Sequence, residues 1–190
     1  MPARQSRMLP LGTAAPEFSL PDPAGRHWNL ASFSDADALL VAFLCNHCPY
    51  VKHILDGFVA FAREYGPQGL AIAAINPNDS NAYLDDAPPH MARIAAEKGF
   101  TFPYLIDSTQ HTARAYEAIC TPDFFLFDAE RRLVYRGRFD ASSPGNQIPV
   151  SGADLRAAVE ALLAGRPIEV QRASIGCSIK WKPGNAPDWA

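Results

Sequence analysis

An α/β fold, with a central mixed sheet flanked by helices, is predicted by three features of this sequence. Ala38-Leu39-Leu40-Val41-Ala42-Phe43-Leu44 is apolar without alternation, as a strand buried on both faces must be. Directly after it, Val51, Ile54, Leu55, Phe58, Val59, Ala62 and Tyr65 fall at helical spacing, and residues 70–75 form a second short apolar run. Strand, helix, strand in that order requires a parallel pair joined by a right-handed crossover. Residues 124–127 and 133–135, joined by Asp128-Ala129-Glu130, read instead as a tight antiparallel hairpin, which makes the sheet mixed.

In chain order, Phe18-Ser19-Leu20 and His27-Trp28-Asn29-Leu30 flank a Pro/Gly turn and predict an N-terminal hairpin. The helix from Val51 stops at Gly66-Pro67. Residues 76–89 form a polar loop. Its Asp79, Asp85 and Asp86 lack the glycine and spacing of a calcium loop and are expected to be solvated. A helix around residues 90–98 follows, then a strand at 102–106, then a helix capped by Ser108 that runs to Tyr116. Ser151 with Asp154 resembles a capping box for a helix through Leu163 that ends at Gly165. From Pro167 onward no periodicity is visible. One domain is expected over 1–190, with its core at about 11–165 and a tail at 166–190.

Composition narrows the functional classes. The 190 residues include 48% apolar residues and carry a net charge of −3, with the basic residues scattered. No basic stripe is available for nucleic acid, so none is expected as a partner. The longest apolar run, Ala38 to Cys45, is far short of the ~20 residues of a membrane span. Arg4 and Arg7 are followed by no apolar signal region, so a cytoplasmic protein is expected.

Four cysteines are too few for a disulfide scaffold, and two of them, Cys45 and Cys48, form a C-x-x-C pair. In a cytosolic chain this reads as a redox motif or half a metal site. Its place between a buried strand and a helix has a physical use, because the first N–H groups of a helix lack partners and stabilise a nearby thiolate. With Cys45 near the N-cap, the amides of Asn46, His47 and Cys48 are expected to face its sulfur. Cys45 then becomes the attacking thiol, with a pKa below the usual ~8.5, and Cys48 the resolving one. A protonated His47 would deepen that effect and make the pair more oxidising; otherwise it is a polar residue between two cysteines.

These stretches resemble the thioredoxin superfamily. They are more closely similar to the redoxin or AhpC/TSA group, in a peroxiredoxin-like branch that carries C-x-x-C. The resemblance spans about residues 11–165 and rests on four segments: Leu11-Gly12 through Leu20, Phe43-Leu44-Cys45-Asn46-His47-Cys48-Pro49, Cys120-Thr121-Pro122-Asp123 through Asp128, and Tyr135-Arg136-Gly137-Arg138. It implies a thioredoxin-like fold with an N-terminal hairpin extension. It also implies that Thr121-Pro122 is the cis-proline loop facing the dithiol, the Thr121 backbone pairing with an extended disulfide substrate. The strand before Cys45 departs from thioredoxins in holding no buried acid, so water, His47 or a carboxylate remote in sequence must accept the proton.

Three functions fit these residues. The favoured one is a thiol–disulfide oxidoreductase using Cys45 and Cys48, without metal or cofactor. Its partners would be disulfide-bearing proteins or small thiols, with a thioredoxin or glutathione system as reductant, in a monomer or homodimer. The alternative is a thiol peroxidase acting on peroxides through Cys48, since Cys48-Pro49 resembles the peroxidatic Cys-Pro, with Cys45 where that group carries threonine. Peroxiredoxins place an arginine where this chain has Pro122; Arg136 and Arg138 on the next strand are the candidates to replace it. The third is a zinc or copper site made from Cys45, Cys48 and either Cys120, Cys177 or a histidine, although a second C-x-x-C is missing. Cys120 and Cys177 are further thiols, each either structural or a redox partner.

Overall fold

The computed structural model describes residues 3–190. Its strands are β1 (Ala3–Gln5), β2 (Ser19–Pro21), β3 (His27–Asn29), β4 (Ala38–Phe43), β5 (Leu70–Asn76), β6 (Tyr104–Ile106), β7 (Cys120–Thr121), β8 (Asp123–Phe127), β9 (Leu133–Gly137) and β10 (Ile175–Ser178). Its helices are α1 (Pro49–Tyr65), α2 (Pro88–Lys98), α3 (His111–Ala115) and α4 (Ala153–Leu163). The main sheet has the order β6-β5-β4-β8-β9. β4 and β5 run parallel around α1, as do β5 and β6, whereas β8 is antiparallel to both β4 and β9. This is a thioredoxin-like mixed sheet with helices on both faces.

The pleat of β4 sorts its side chains between two cores. Leu40 and Ala42 pack with Phe58 and Phe61 of α1, Met91 of α2 and Leu155 and Val159 of α4. Leu39, Val41 and Phe43 pack on the opposite face with Ala113 of α3, Tyr116 and Leu20 of the N-terminal hairpin. Every residue of β4 is buried, which explains why the strand shows no alternation. Pro49 opens α1, where its missing N–H costs nothing and its φ already suits a helix.

Four expectations are corrected. The 76–89 loop is not simply solvated: Asp79 and Asp86 are buried. Asp107, not Ser108, supplies the acceptor at the start of α3, taking the Ala113 N–H at 2.8 Å. Ser151 and Asp154 form no capping box. The Asp140 carboxylate takes the Ser151 and Gly152 amides at 2.7 and 2.6 Å, and Gly152, at φ +68°, is the N-cap. Any side chain there would meet the Phe139 ring. Asp154 instead pairs with Arg138 and Arg172.

The fourth correction concerns the tail. β10 lies between β1 and β7 in a separate antiparallel sheet, with Cys177 opposite both Ala3 and Thr121. On one side Ser174 exchanges hydrogen bonds with Ser6 and donates to the Gly137 carbonyl. On the other, Lys180 is held by Asn78, Asp79 and Gln110.

Candidate active site

The end of β4, the start of α1 and the β7–β8 loop meet at the C-x-x-C pair. Cys45 and Cys48 are 2% and 0% exposed. The Thr121–Pro122 peptide is cis. Thr121 touches both cysteines: its Oγ1 lies 3.1 Å from the Cys45 sulfur, and its carbonyl accepts from the Cys48 thiol at 3.1 Å.

The two cysteines have environments opposite to those expected. The helix begins at Pro49, so Cys48 is the N-cap and Cys45 lies outside the helix. Pro49 has no N–H, and the Lys52 amide closes the first helical bond onto the Cys48 carbonyl at 3.0 Å. The amides of Tyr50 and Val51 are thus the free positive end of α1. The Cys48 sulfur makes no regular capping bond, yet the Val51 amide faces it. The Cys45 thiol, the Cys177 thiol and the Cys177 amide face it too. The Cys45 hydrogen bond dominates and, with the others, outweighs burial; Cys48 is pulled down to about 5. Deprotonation also forfeits the Cys48 bond to the Thr121 carbonyl, so the thiolate depends on these donors. Burial, the bond given to Cys48 and the negative charge of Asp86 push Cys45 up. The helix end thus lies at Cys48 rather than at Cys45, and it adds to the larger effect of the Cys45 thiol.

Asp86 fixes the loop between the cysteines. Its carboxylate accepts from the Asn46 amide at 2.7 Å and the Asn78 side chain at 2.8 Å, and pairs with His47 Nδ1 at 2.7 Å. Burial raises its pKa, but these bonds outweigh that and hold it below the usual carboxylate range. His47 stacks on Tyr83, ring centroids 5.1 Å apart. Its Nδ1 is engaged by Asp86, so any positive charge on the ring is countered locally rather than projected onto a sulfur. Asn46 accepts from Tyr104 and donates to the Asp85 carbonyl. No sequence motif announced Asp86, Asn78 or Tyr104, since the loop after β5 and the start of β6 return to the site from 30 to 60 residues away.

Cys120 is fully buried, with its thiol on the Pro122 carbonyl at 3.8 Å, and burial pushes its pKa well up. Asp123 is also fully buried; burial holds its carboxyl well above the usual range, near Cys120 rather than in contact with the thiol pair. Arg138 lines a pocket beside Pro122 but is paired with Asp154, and Arg136 has two buried nitrogens without partners. Among the described residues, no arginine hydrogen-bonds to either sulfur. Another pocket, lined by Val51, Leu55, Ile94 and Tyr104, opens on Cys45. One potential ligand atom each from Cys45, His47 and Asp86 lies within 4.8 Å of the others. The Asp86 carboxylate is already shared among three donors, and this set omits Cys48, Cys120 and Cys177.

A buried dithiol, one sulfur at a helix N-terminus, facing a cis-proline on a thioredoxin-like sheet defines a class of redox thiol proteins. The chain belongs to the AhpC/TSA family, whose model matches residues 11–136. It is similar to an uncharacterized conserved protein from Geobacillus kaustophilus, with 49% identity, 97% of this chain and 98% of that one covered, and a TM-score of 0.95. It is equally similar to a hypothetical protein from Sinorhizobium meliloti 1021, with 50% identity, 95% and 99% coverage, and a TM-score of 0.93. More distant structures share the fold. Among them, Peroxidoxin BcpB from Mycobacterium tuberculosis has 19% identity, 82% and 97% coverage, and a TM-score of 0.61. No curated protein matches the chain. Among the described residues, no helix is long and apolar enough to cross a membrane.

Proposed function

We propose that this protein is a thiol–disulfide oxidoreductase in which Cys48 attacks and Cys45 resolves. The observation that carries the reading is the asymmetry of the pair, in which Cys48 at the N-cap of α1 is drawn toward thiolate while Cys45, outside the helix and beside Asp86, is pushed up. The Cys48 thiolate attacks one sulfur of a substrate disulfide, forming a mixed disulfide and expelling a thiolate. Cys45 loses its proton and attacks the Cys48 sulfur, which releases the second substrate thiolate and leaves a Cys45–Cys48 disulfide. Two electrons pass to the substrate, one proton comes from Cys45 and the second thiolate is protonated by solvent, with no cofactor required. The His47–Asp86 pair supplies a proton acceptor beside Cys45, the role for which β4 offers no carboxylate. In the cell, the electrons would come from a cytoplasmic thioredoxin or glutathione system.

Disulfide is favoured over peroxide because a departing hydroxide needs fixed donors, and among the described residues no guanidinium hydrogen-bonds to either sulfur. Single-turnover rates with oxidised glutathione and with hydrogen peroxide test the choice. Faster reaction with the disulfide, lost in Cys48→Ser, is expected. A peroxide rate far above that of a free thiolate would reassign the protein as a peroxidase.

A further inference from the structure

The Thr121 edge, expected to pair with an extended substrate, is already occupied. β10 runs antiparallel to β7, with Cys177 directly opposite Thr121, the residue that touches both Cys45 and Cys48. Residues paired in this way hold their side chains on one face, with Cβ atoms ~4.5–5.5 Å apart. At Gly176 any side chain would run into the Thr121 carbonyl, so only glycine lets the tail lie this close to the cis-proline loop. Cys177 is 5% exposed and shares a core cluster with Cys45 and Cys48. β10 also packs against α1, whose N-cap is Cys48. The strand is fixed on both sides of Cys177, by Ser6 at Ser174 and by Asn78 at Lys180. A cysteine serving only to fill space needs neither the register nor the contact.

We infer that β10 is a built-in substrate strand and that Cys177 is a second redox partner of Cys48, able to form a Cys48–Cys177 disulfide. This rests on the proposed role of Cys48 as the attacking thiol. When Cys48 carries a mixed disulfide, the Cys177 thiol gives up its proton and attacks the Cys48 sulfur. The bond between Cys48 and the substrate breaks, and the substrate sulfur leaves as a thiolate and takes the proton. The outcome is a Cys48–Cys177 bond that ties the C-terminal strand to the start of α1, with two electrons delivered to the original disulfide. Cys48 thus has two resolving thiols, one within its own loop and one on the tail.

The test uses the full chain and oxidised glutathione. In Cys45→Ser, glutathione attached at Cys48 should be released roughly 10-fold or more faster than in Cys45→Ser/Cys177→Ser, because a held intramolecular thiol outcompetes one from solution. Peptide mapping without reductant should then show Cys48 joined to Cys177. Cys45→Ala repeats this arm if serine disturbs the buried site, and circular dichroism confirms that each variant is folded. A stable glutathione adduct on Cys48 in folded Cys45→Ser and Cys45→Ala, with wild type still forming Cys45–Cys48, would overturn the inference and leave the proposed function intact. If Cys48 takes up glutathione in no variant and wild type forms no disulfide, both fail.

Discussion

Cys45 and Cys48 are three residues apart, yet their sulfurs are shifted in opposite directions, because Cys48 caps α1 and is favoured by the neighbouring Cys45 thiol, while Cys45 lies outside the helix beside Asp86. The motif was legible because strand, C-x-x-C and proline are contiguous. The roles were not, because they depend on Asp86 and Cys177, which the chain delivers from 38 and 129 residues beyond Cys48. His47→Asn removes the proposed proton acceptor and should slow resolution of a Cys48 mixed disulfide in a Cys177→Ser background while leaving the initial attack nearly unchanged. Stopped-flow separation of the two phases reads this, and equal slowing of both would contradict it. Asp123 gives a second residue-scale expectation. Its folded pKa is raised above the unfolded ~3.9, so between those values the native state binds more protons, and stability falls as pH rises. Asp123→Asn should therefore raise the melting temperature at neutral pH, and the gain should vanish below about pH 4, where the wild-type carboxyl is protonated in both states. Thermal melts across that range check it.

Among the elements, α1 and the sheet were readable because their signals are local: helical spacing in one, an unbroken apolar run in the other. Phe58 shows what that spacing achieves, meeting the rings of Phe61, Phe102, Phe124 and Phe139 with centroids 5.4–6.0 Å apart. Phe58→Ala should cost ~3–5 kcal/mol, measured by urea unfolding. The tail strand was not readable. β10 has only four residues and earns its conformation from pairing with β1 and β7, which leaves no periodic trace in Ile175-Gly176-Cys177-Ser178. Its glycine was the one local sign of a close approach. Gly176→Ala forces a methyl group against the Thr121 carbonyl and should destabilise the protein by ~1–3 kcal/mol, with faster proteolysis of the tail than of α1. Unchanged proteolysis would mean that the strand tolerates the displacement.

At the scale of the whole molecule, the thioredoxin-like sheet brings the thiol pair to the end of β4, and the C-terminal segment covers it. A fully buried Cys48 meets a disulfide only when its cover moves, because the pockets beside Cys45 and Pro122 flank it without being lined by it. Asn78 joins the two parts of this arrangement, donating to Asp86 on the active-site side and accepting from the Lys180 amide on the tail side. Displacing the tail thus loosens the network that holds Asn46 and His47. The account stands or falls on which sulfur is the thiolate. A pH titration of thiolate ultraviolet absorbance, which needs no reagent to enter the site, decides this in wild type, Cys45→Ser and Cys48→Ser. The wild type should show one inflection near pH 5, as the Cys48 environment requires, retained in Cys45→Ser at a somewhat higher pH and absent from Cys48→Ser. An acidic inflection that persists in Cys48→Ser and disappears from Cys45→Ser would contradict the account, and so would a wild type with no inflection below the free-thiol value of ~8.5.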